Sequence, residues 1–234
     1  MYVLGISCFY HDAAACLLDD GKVISAVEEE RFTRIKHDNN FPINSIQHCL
    51  RAAKISTDKI NYVGFYEKPI VKFDRILQTF TECYPSGFWL FYKTIPSWIN
   101  EKLRIKSIIK KKINFKGNVH FIDHHTSHAA SSFFVSPFEK AAIMTVDGVG
   151  EWVTASIKLG INNKIIPLKE IHFPDSLGLL YSAVTAFLGF KVNNDEYKVM
   201  GLSSYGKPNY YKKFRNFLIL IIENFRIYFE LKYI

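Results

Sequence analysis

The chain has 234 residues, of which 48% are hydrophobic and 15% aromatic, enough apolar material to bury one substantial core or two small ones and to exclude a disordered polypeptide. Thirty Lys and Arg against 22 Asp and Glu leave a formal charge of +8, which favours anionic partners without separating nucleic acids from phosphate metabolites. Cys8, Cys16, Cys49 and Cys83 stand far apart with no C-x-x-C pair, so neither a zinc knuckle nor a disulfide framework is indicated, and a reducing compartment is expected. Residues 1–7 lack a basic segment and Asp12 follows soon after, so no secretory signal is expected. The apolar run at 217–222 is too short to cross a bilayer. The expectation is a soluble cytoplasmic protein.

In chain order, residues 2–8, 13–18 and 22–28 read as three short strands, the last two joined by Asp19-Asp20-Gly21, where Asp-Gly suits a tight hairpin. The run Glu28-Glu29-Glu30-Arg31-Phe32-Thr33-Arg34 is read by default as a solvated edge. Pro42 opens a helix whose Ile43, Ile46, Cys49 and Leu50 recur at spacings of three and four, a face to lay on the sheet. Residues 62–66 form a candidate strand. The stretch 68–116 is aromatic and basic, is broken at Pro85 and Pro96, and reads as a helical insertion. Lys102, Arg104, Lys106, Lys110, Lys111, Lys112 and Lys116 within it are read as a solvated helix face rather than a phosphate-binding one, since no nucleic-acid motif accompanies them.

Residues 118–122 and 141–146 resemble buried strands flanking a short helix at 125–134, and strand, helix, strand suggests an α/β layer. A second hairpin is expected at 152–159 and 164–172, then a helix over 176–187 stopped at Gly189. After residue 209 the chain is rich in Phe, Ile, Lys and Asn and shows no clean apolar face.

The most specific chemical feature is Asp123-His124-His125-Thr126-Ser127-His128. His124 and His128 are four apart, so on a helix they share a face one turn apart and could hold one metal ion. No Glu follows the first histidine, so the H-E-x-x-H protease pattern is absent. The same histidines could merely cap and solvate a helix start. Asp147 could complete a ligand set, because Asp147-Gly148-Val149-Gly150 ends the strand at 141–146, although Asp-Gly is also an ordinary turn. Two imidazoles and a carboxylate suit Fe, Mn or Zn. His11-Asp12 lies in the first turn, where a substrate could approach, and the segment 193–208 combines charges with glycine turns.

Taken in order, these segments resemble the O-carbamoyltransferase family of nodulation-factor, cephem and aminoglycoside carbamoyltransferases. The resemblance is carried by Leu4-Gly5-Ile6-Ser7 with Tyr10-His11-Asp12-Ala13-Ala14, by Glu28-Glu29-Glu30-Arg31-Phe32 with Arg34 and Lys36-His37, and by His124-His125-x-x-His128-Ala129. Thr145-Val146-Asp147-Gly148-x-Gly150-Glu151 follows, then Ser176-Leu177-Gly178-x-x-Tyr181, Gly189-Phe190-Lys191 and Glu196-Tyr197-Lys198-Val199-Met200-Gly201-Leu202. Asp195-Glu196 stands where the family usually has Gly-Glu, and Ser203-Ser204 where Ala-Pro is usual.

The resemblance implies an actin/hexokinase-like (ASKHA) α/β first subdomain over 1–208, a mixed sheet with flanking helices. It also implies a reaction: carbamoyl phosphate and ATP give a carbamoyl-adenylate, whose carbamoyl group passes to a hydroxyl of a small-molecule acceptor. Carried over by motif, His124, His128 and Asp147 would hold iron or another divalent metal. His11 and Asp12 would serve the transfer step, and Gly148, Gly150, Glu196 and Lys198 would lie on the nucleotide side. Family members are much longer, with a second subdomain and a YrdC-like domain, so the tail at 209–234 is expected to be a truncated or frameshifted continuation. The alternative is a non-catalytic metal-binding half-domain, or a split-enzyme subunit needing a complementing C-terminal polypeptide. No membrane or nucleic-acid partner is expected.

Overall fold

A computed structural model describes residues 1–215; the run at 217–222 and most of the tail expected at 209–234 lie outside the described residues. The chain divides into two compact units, the first ending at His124 and the second beginning at His125.

In the first unit, β1 (Tyr2–Ser7), β2 (Ala14–Asp19) and β3 (Lys22–Glu28) form an antiparallel meander. Asp20 and Gly21 have φ of 45° and 80°, the left-handed pair that a two-residue hairpin turn requires. Strands β4 (Ile60–Phe65) and β5 (Val119–Phe121) extend the sheet beyond β1, each parallel to its neighbour, in the order β3-β2-β1-β4-β5. Parallel neighbours need long crossovers. The first carries α1 (Glu30–Thr33) and α2 (Ile43–Ala53); the second carries α3 (Pro69–Cys83), α4 (Phe88–Asn100) and α5 (Ile105–Lys112). The result is the mixed α/β sheet with flanking helices that the sequence predicts.

Alternation along the strands buries Leu4 and Ile6 of β1 opposite Leu17 and Ala15 of β2. Helix α2 adds Ile46, Cys49 and Leu50 to this core, as its spacing predicts. Ile105, Ile109, Ile113 and Phe115 are buried in the same cluster, so the end of the 68–116 stretch is core rather than appendage. The reason lies in α5, where isoleucines recur every four residues and leave Lys106, Lys111 and Lys112 outside. Truncating one such isoleucine to alanine would cost about 2–5 kcal/mol.

In the second unit, β6 (Lys140–Val146), β7 (Val153–Ile161) and β8 (Lys164–His172) form an antiparallel sheet in that order. Helix α6 (His124–Phe133), whose first residue closes the first unit, packs Ala129 and Phe133 against Ile143 of β6. Helix α7 (Leu177–Phe187) is capped by Ser176, whose hydroxyl accepts the Leu179 amide at 3.0 Å, and is followed by Gly189 at φ 82°. Helix α8 (Glu196–Ser203) follows. Among the described residues, no helix is long and apolar enough to cross a membrane.

Candidate functional site

Helix α6 starts one residue after Asp123, and β6 ends one residue before Asp147. His124 and His128 share a face of α6, as i, i+4 residues must. One ligand atom from each of His124, His128 and Asp147 lies within 4.8 Å of the others, and His128 Nε2 is 3.8 Å from Asp147 Oδ2. His128 is exposed, while His124 and Asp147 are half-buried. A neutral imidazole pair with one carboxylate is a borderline donor set that leaves coordination positions open, so these residues fit a divalent transition metal.

The histidine between them has a different role. His125 is fully buried, its Nδ1 2.6 Å from Thr145 Oγ1, which lies 2.7 Å from Ser156 Oγ. This chain of hydrogen bonds fastens α6 to β6 and β7. Lys158 is buried beside it and donates to Thr126 Oγ1 at 2.8 Å. Gly160 permits the close seat of α6, since a Cβ there would fall 2.6 Å from the Phe133 ring.

Asp147 is held by its own backbone neighbours. The Gly148 amide donates to Asp147 Oδ1 at 2.7 Å, and the Asp147 amide donates to the Thr154 carbonyl at 2.9 Å. Buried Ser176 donates its hydroxyl to the Gly148 carbonyl at 2.6 Å. Gly178 sits so close that a Cβ on it would lie 2.6 Å from Gly148 N. Ser176 was legible in the sequence as a helix start; its second bond, to the Asp147 turn, was not.

Gly148 and Gly150 lie in this turn, and the Gly150 amide closes it on the Val153 carbonyl at 3.0 Å. Glu196 and Lys198 stand in the first turn of α8. Glu196 Oε1 takes the Asn193 amide at 2.8 Å and the Ser182 hydroxyl at 3.3 Å. Burial works against its ionised form, yet these donors hold the carboxyl below the usual range. Lys198 pairs with Asp195 at 2.7 Å, which raises the lysine and lowers the aspartate. Both side chains fasten the segment around 193–198.

In the first unit, His11 and Asp12 occupy the turn after β1, with Phe9 and Asp12 at φ of 68° and 49°. Asp12 Oδ2 is 2.8 Å from His11 Nδ1, and Oδ1 is 2.8 Å from His37 Nδ1. The Tyr10 ring lies 4.7 Å from that of His11 and carries Lys72 Nζ 4.5 Å from its centroid. Lys72 is buried and pairs with buried Glu67 at 2.6 Å.

The charged run at 28–34 is not uniformly solvated. Glu29 is 2% exposed. Its Oε1 accepts the Asn44 amide and side chain at 3.1 and 2.7 Å, and its Oε2 accepts the Ser45 amide and hydroxyl at 2.8 and 2.7 Å. Helix α2 begins after Pro42 with no side-chain cap of its own, so Glu29 supplies the anion its N-terminus wants. Spacing along the chain gave no sign of this, because the partners are about fifteen residues apart.

The comparisons with known proteins assign this mixed α/β chain to a family. The Carbamoyltransferase N-terminus family model matches residues 2–234, and the chain belongs to that family. It is 50% identical over 217 residues to the uncharacterized protein sll1178 of Synechocystis sp., covering 89% of this chain and 35% of that protein. It is 34% identical over 230 residues to the nodulation protein NolNO of Sinorhizobium fredii, covering 95% of this chain and 32% of that one. The chain thus spans about a third of the length of these relatives. Among solved structures, it is similar to component A of (R)-2-hydroxyglutaryl-CoA dehydratase from Acidaminococcus fermentans, at 12% identity and TM-score 0.42 over 82% of this chain and 56% of that one.

Proposed function

We propose that this chain is the metal-binding and acceptor-activating part of a carbamoyltransferase. Together with the remaining length its relatives have, it would pass a carbamoyl group from carbamoyl phosphate, by way of an ATP-derived carbamoyl-adenylate, to a hydroxyl of a small-molecule acceptor. The observation that carries the reading is the His124, His128 and Asp147 set, with donor atoms within 4.8 Å of one another, in a chain whose family is carbamoyltransferase.

In this reading His124, His128 and Asp147 hold iron or another divalent metal. When bound, the ion supplies positive charge that neutralises nucleotide phosphates. The Asp147 turn, with Gly148 and Gly150, keeps side chains away from an approaching nucleotide, and the loop fastened by Glu196 and Lys198 contributes its edge. His11 takes the proton of the acceptor hydroxyl. The hydroxyl oxygen then bonds to the carbamoyl carbon, the bond from that carbon to the adenylate oxygen breaks, and AMP leaves.

Metal analysis of the purified chain tests the first part. Near-stoichiometric iron or manganese after reconstitution, lost in a folded His124→Ala/His128→Ala double variant, is expected; unchanged stoichiometry would remove the ligand assignment. Calorimetric titration with ATP separates a working nucleotide site from a metal-binding half-domain. Tight, metal-dependent binding supports the first, and metal without ATP supports the subunit that needs a complementing polypeptide.

A further inference from the structure

The turn that carries His11 also engages a second imidazole, for which the proposed reaction has no direct use. Asp12 meets His11 Nδ1 through Oδ2 and His37 Nδ1 through Oδ1, both at 2.8 Å. An ionised carboxylate can only accept hydrogen bonds, so both ring Nδ1 atoms must be the protonated ones. For a neutral ring this leaves Nε2 bare, and the bond at one nitrogen decides the chemistry of the other. The same tautomer suits His37, whose Nε2 is buried without a hydrogen-bond partner among the described residues and would be an orphaned donor if protonated.

His37 is itself fixed from behind. Its backbone has φ 56°, and its amide donates to Glu30 Oε2 at 3.1 Å. The loop around it is laced to the His11 turn by the Ala13 amide on the Asp38 carbonyl and the Phe9 amide on the Asn39 carbonyl, both at 2.7 Å. Glu30 is the other carboxylate close to this pair, and its oxygen is engaged by the His37 backbone. Each Asp12 oxygen meets one ring, so a single carboxylate joins the two imidazoles.

We propose that His37 is a positioning residue that acts through Asp12: it locks the carboxylate so that His11 is held as the Nδ1–H tautomer and presents Nε2 as the base toward the acceptor hydroxyl. The proposal rests on His11 being the acid/base group of the reaction. Without the His37 donor, the Asp12 carboxylate is free to rotate, and His11 is released to populate both tautomers.

Nitrogen–proton correlation spectra of the imidazole rings in the full chain test this, in the pH range where the rings are neutral. Wild type is expected to show His11 and His37 each with a protonated Nδ1 and a bare Nε2. In His37→Ala, the His11 signal should move towards the Nε2–H form. In His37→Asn it should not, because the Asn Nδ2 replaces the ring Nδ1 as donor and Asn tolerates a left-handed backbone. A wild-type His11 protonated at Nε2 overturns the proposal, as does an unchanged His11 signal in folded His37→Ala, or an Asn variant that behaves like the alanine one. If His37→Ala does not fold, the wild-type and Asn spectra decide. Carbamoyl transfer is not part of this readout. Should the tautomers be as expected while His11→Asn leaves transfer by the complete enzyme intact, the functional reading falls and the hydrogen-bond relationship between His37 and His11 stands.

Discussion

Gly178, at the second position of α7, lies against the backbone of Asp147: a Cβ at 178 would fall 2.6 Å from the Asp147 carbonyl carbon and from Gly148 N. Backbone atoms cannot swing aside as a flexible side chain can, so any larger residue there must displace the carboxylate that completes the candidate metal set. Gly178→Ala is expected to weaken divalent-metal affinity by about 10–100-fold, the usual effect of disturbing a ligand's support. Metal titration checks this, with circular dichroism to show that the variant is folded.

Ser176 caps α7 and ties the same turn through the Gly148 carbonyl. Ser176→Ala should cost about 1–2 kcal/mol in urea unfolding, from the lost cap and the carbonyl left without its donor. Ser176→Thr, which keeps the hydroxyl, should recover most of it.

Glu29 is buried and gathers four donors from Asn44 and Ser45. Glu29→Ala leaves the start of α2 without its acceptor and should cost about 3 kcal/mol. Glu29→Gln, with one acceptor oxygen in place of two, should fall between. Equilibrium unfolding with an unchanged denaturant slope would show that the loss is in the folded state.

Burial pushes the Asp12 carboxyl upward, but the rings of His37 and His11 bring it net below its ordinary value. Between the folded and the unfolded pKa the unfolded chain binds more protons, so stability rises with pH in that window. The contribution is full above the ordinary aspartate pKa of about 3.9 and is lost as pH falls through the lower folded value. The difference in Tm between wild type and Asp12→Asn is therefore expected to be larger at about pH 6 than at about pH 2.5. A difference that does not change with pH would contradict the carboxylate's role.

Cys8 is buried and burial pushes its thiol up, whereas Cys83 is exposed at the end of α3. A thiol reagent should modify Cys83 in the native protein and reach Cys8 only on unfolding. Peptide mapping after brief alkylation reads the order directly.

Periodicity made most elements legible. The meander, the face of α2 through Ile46 and Cys49, the α6 helix and the β7–β8 hairpin all come from patterns of two or of three and four. The i, i+4 relation of His124 and His128 is a property of any helix, so their common face followed from spacing alone. Periodicity could not tell that α5 belongs to the core, since an isoleucine stripe with lysines opposite fits a peripheral helix equally well. Nor could it sort the charged run at 28–34, where Glu29 is buried and Glu28 and Arg31 stay at the surface.

What the sequence determined by itself was therefore local: strands, helices, turns, and the ordered motifs that mark the family. Tertiary structure decided which side chains meet. It brought Asp147 beside His128, aimed His125 inward at Thr145, placed Glu29 under α2, and set His11 and His37 on the two oxygens of Asp12. These relations join residues 15 or more positions apart or depend on which way a ring turns, and chain periodicity carries no information about either.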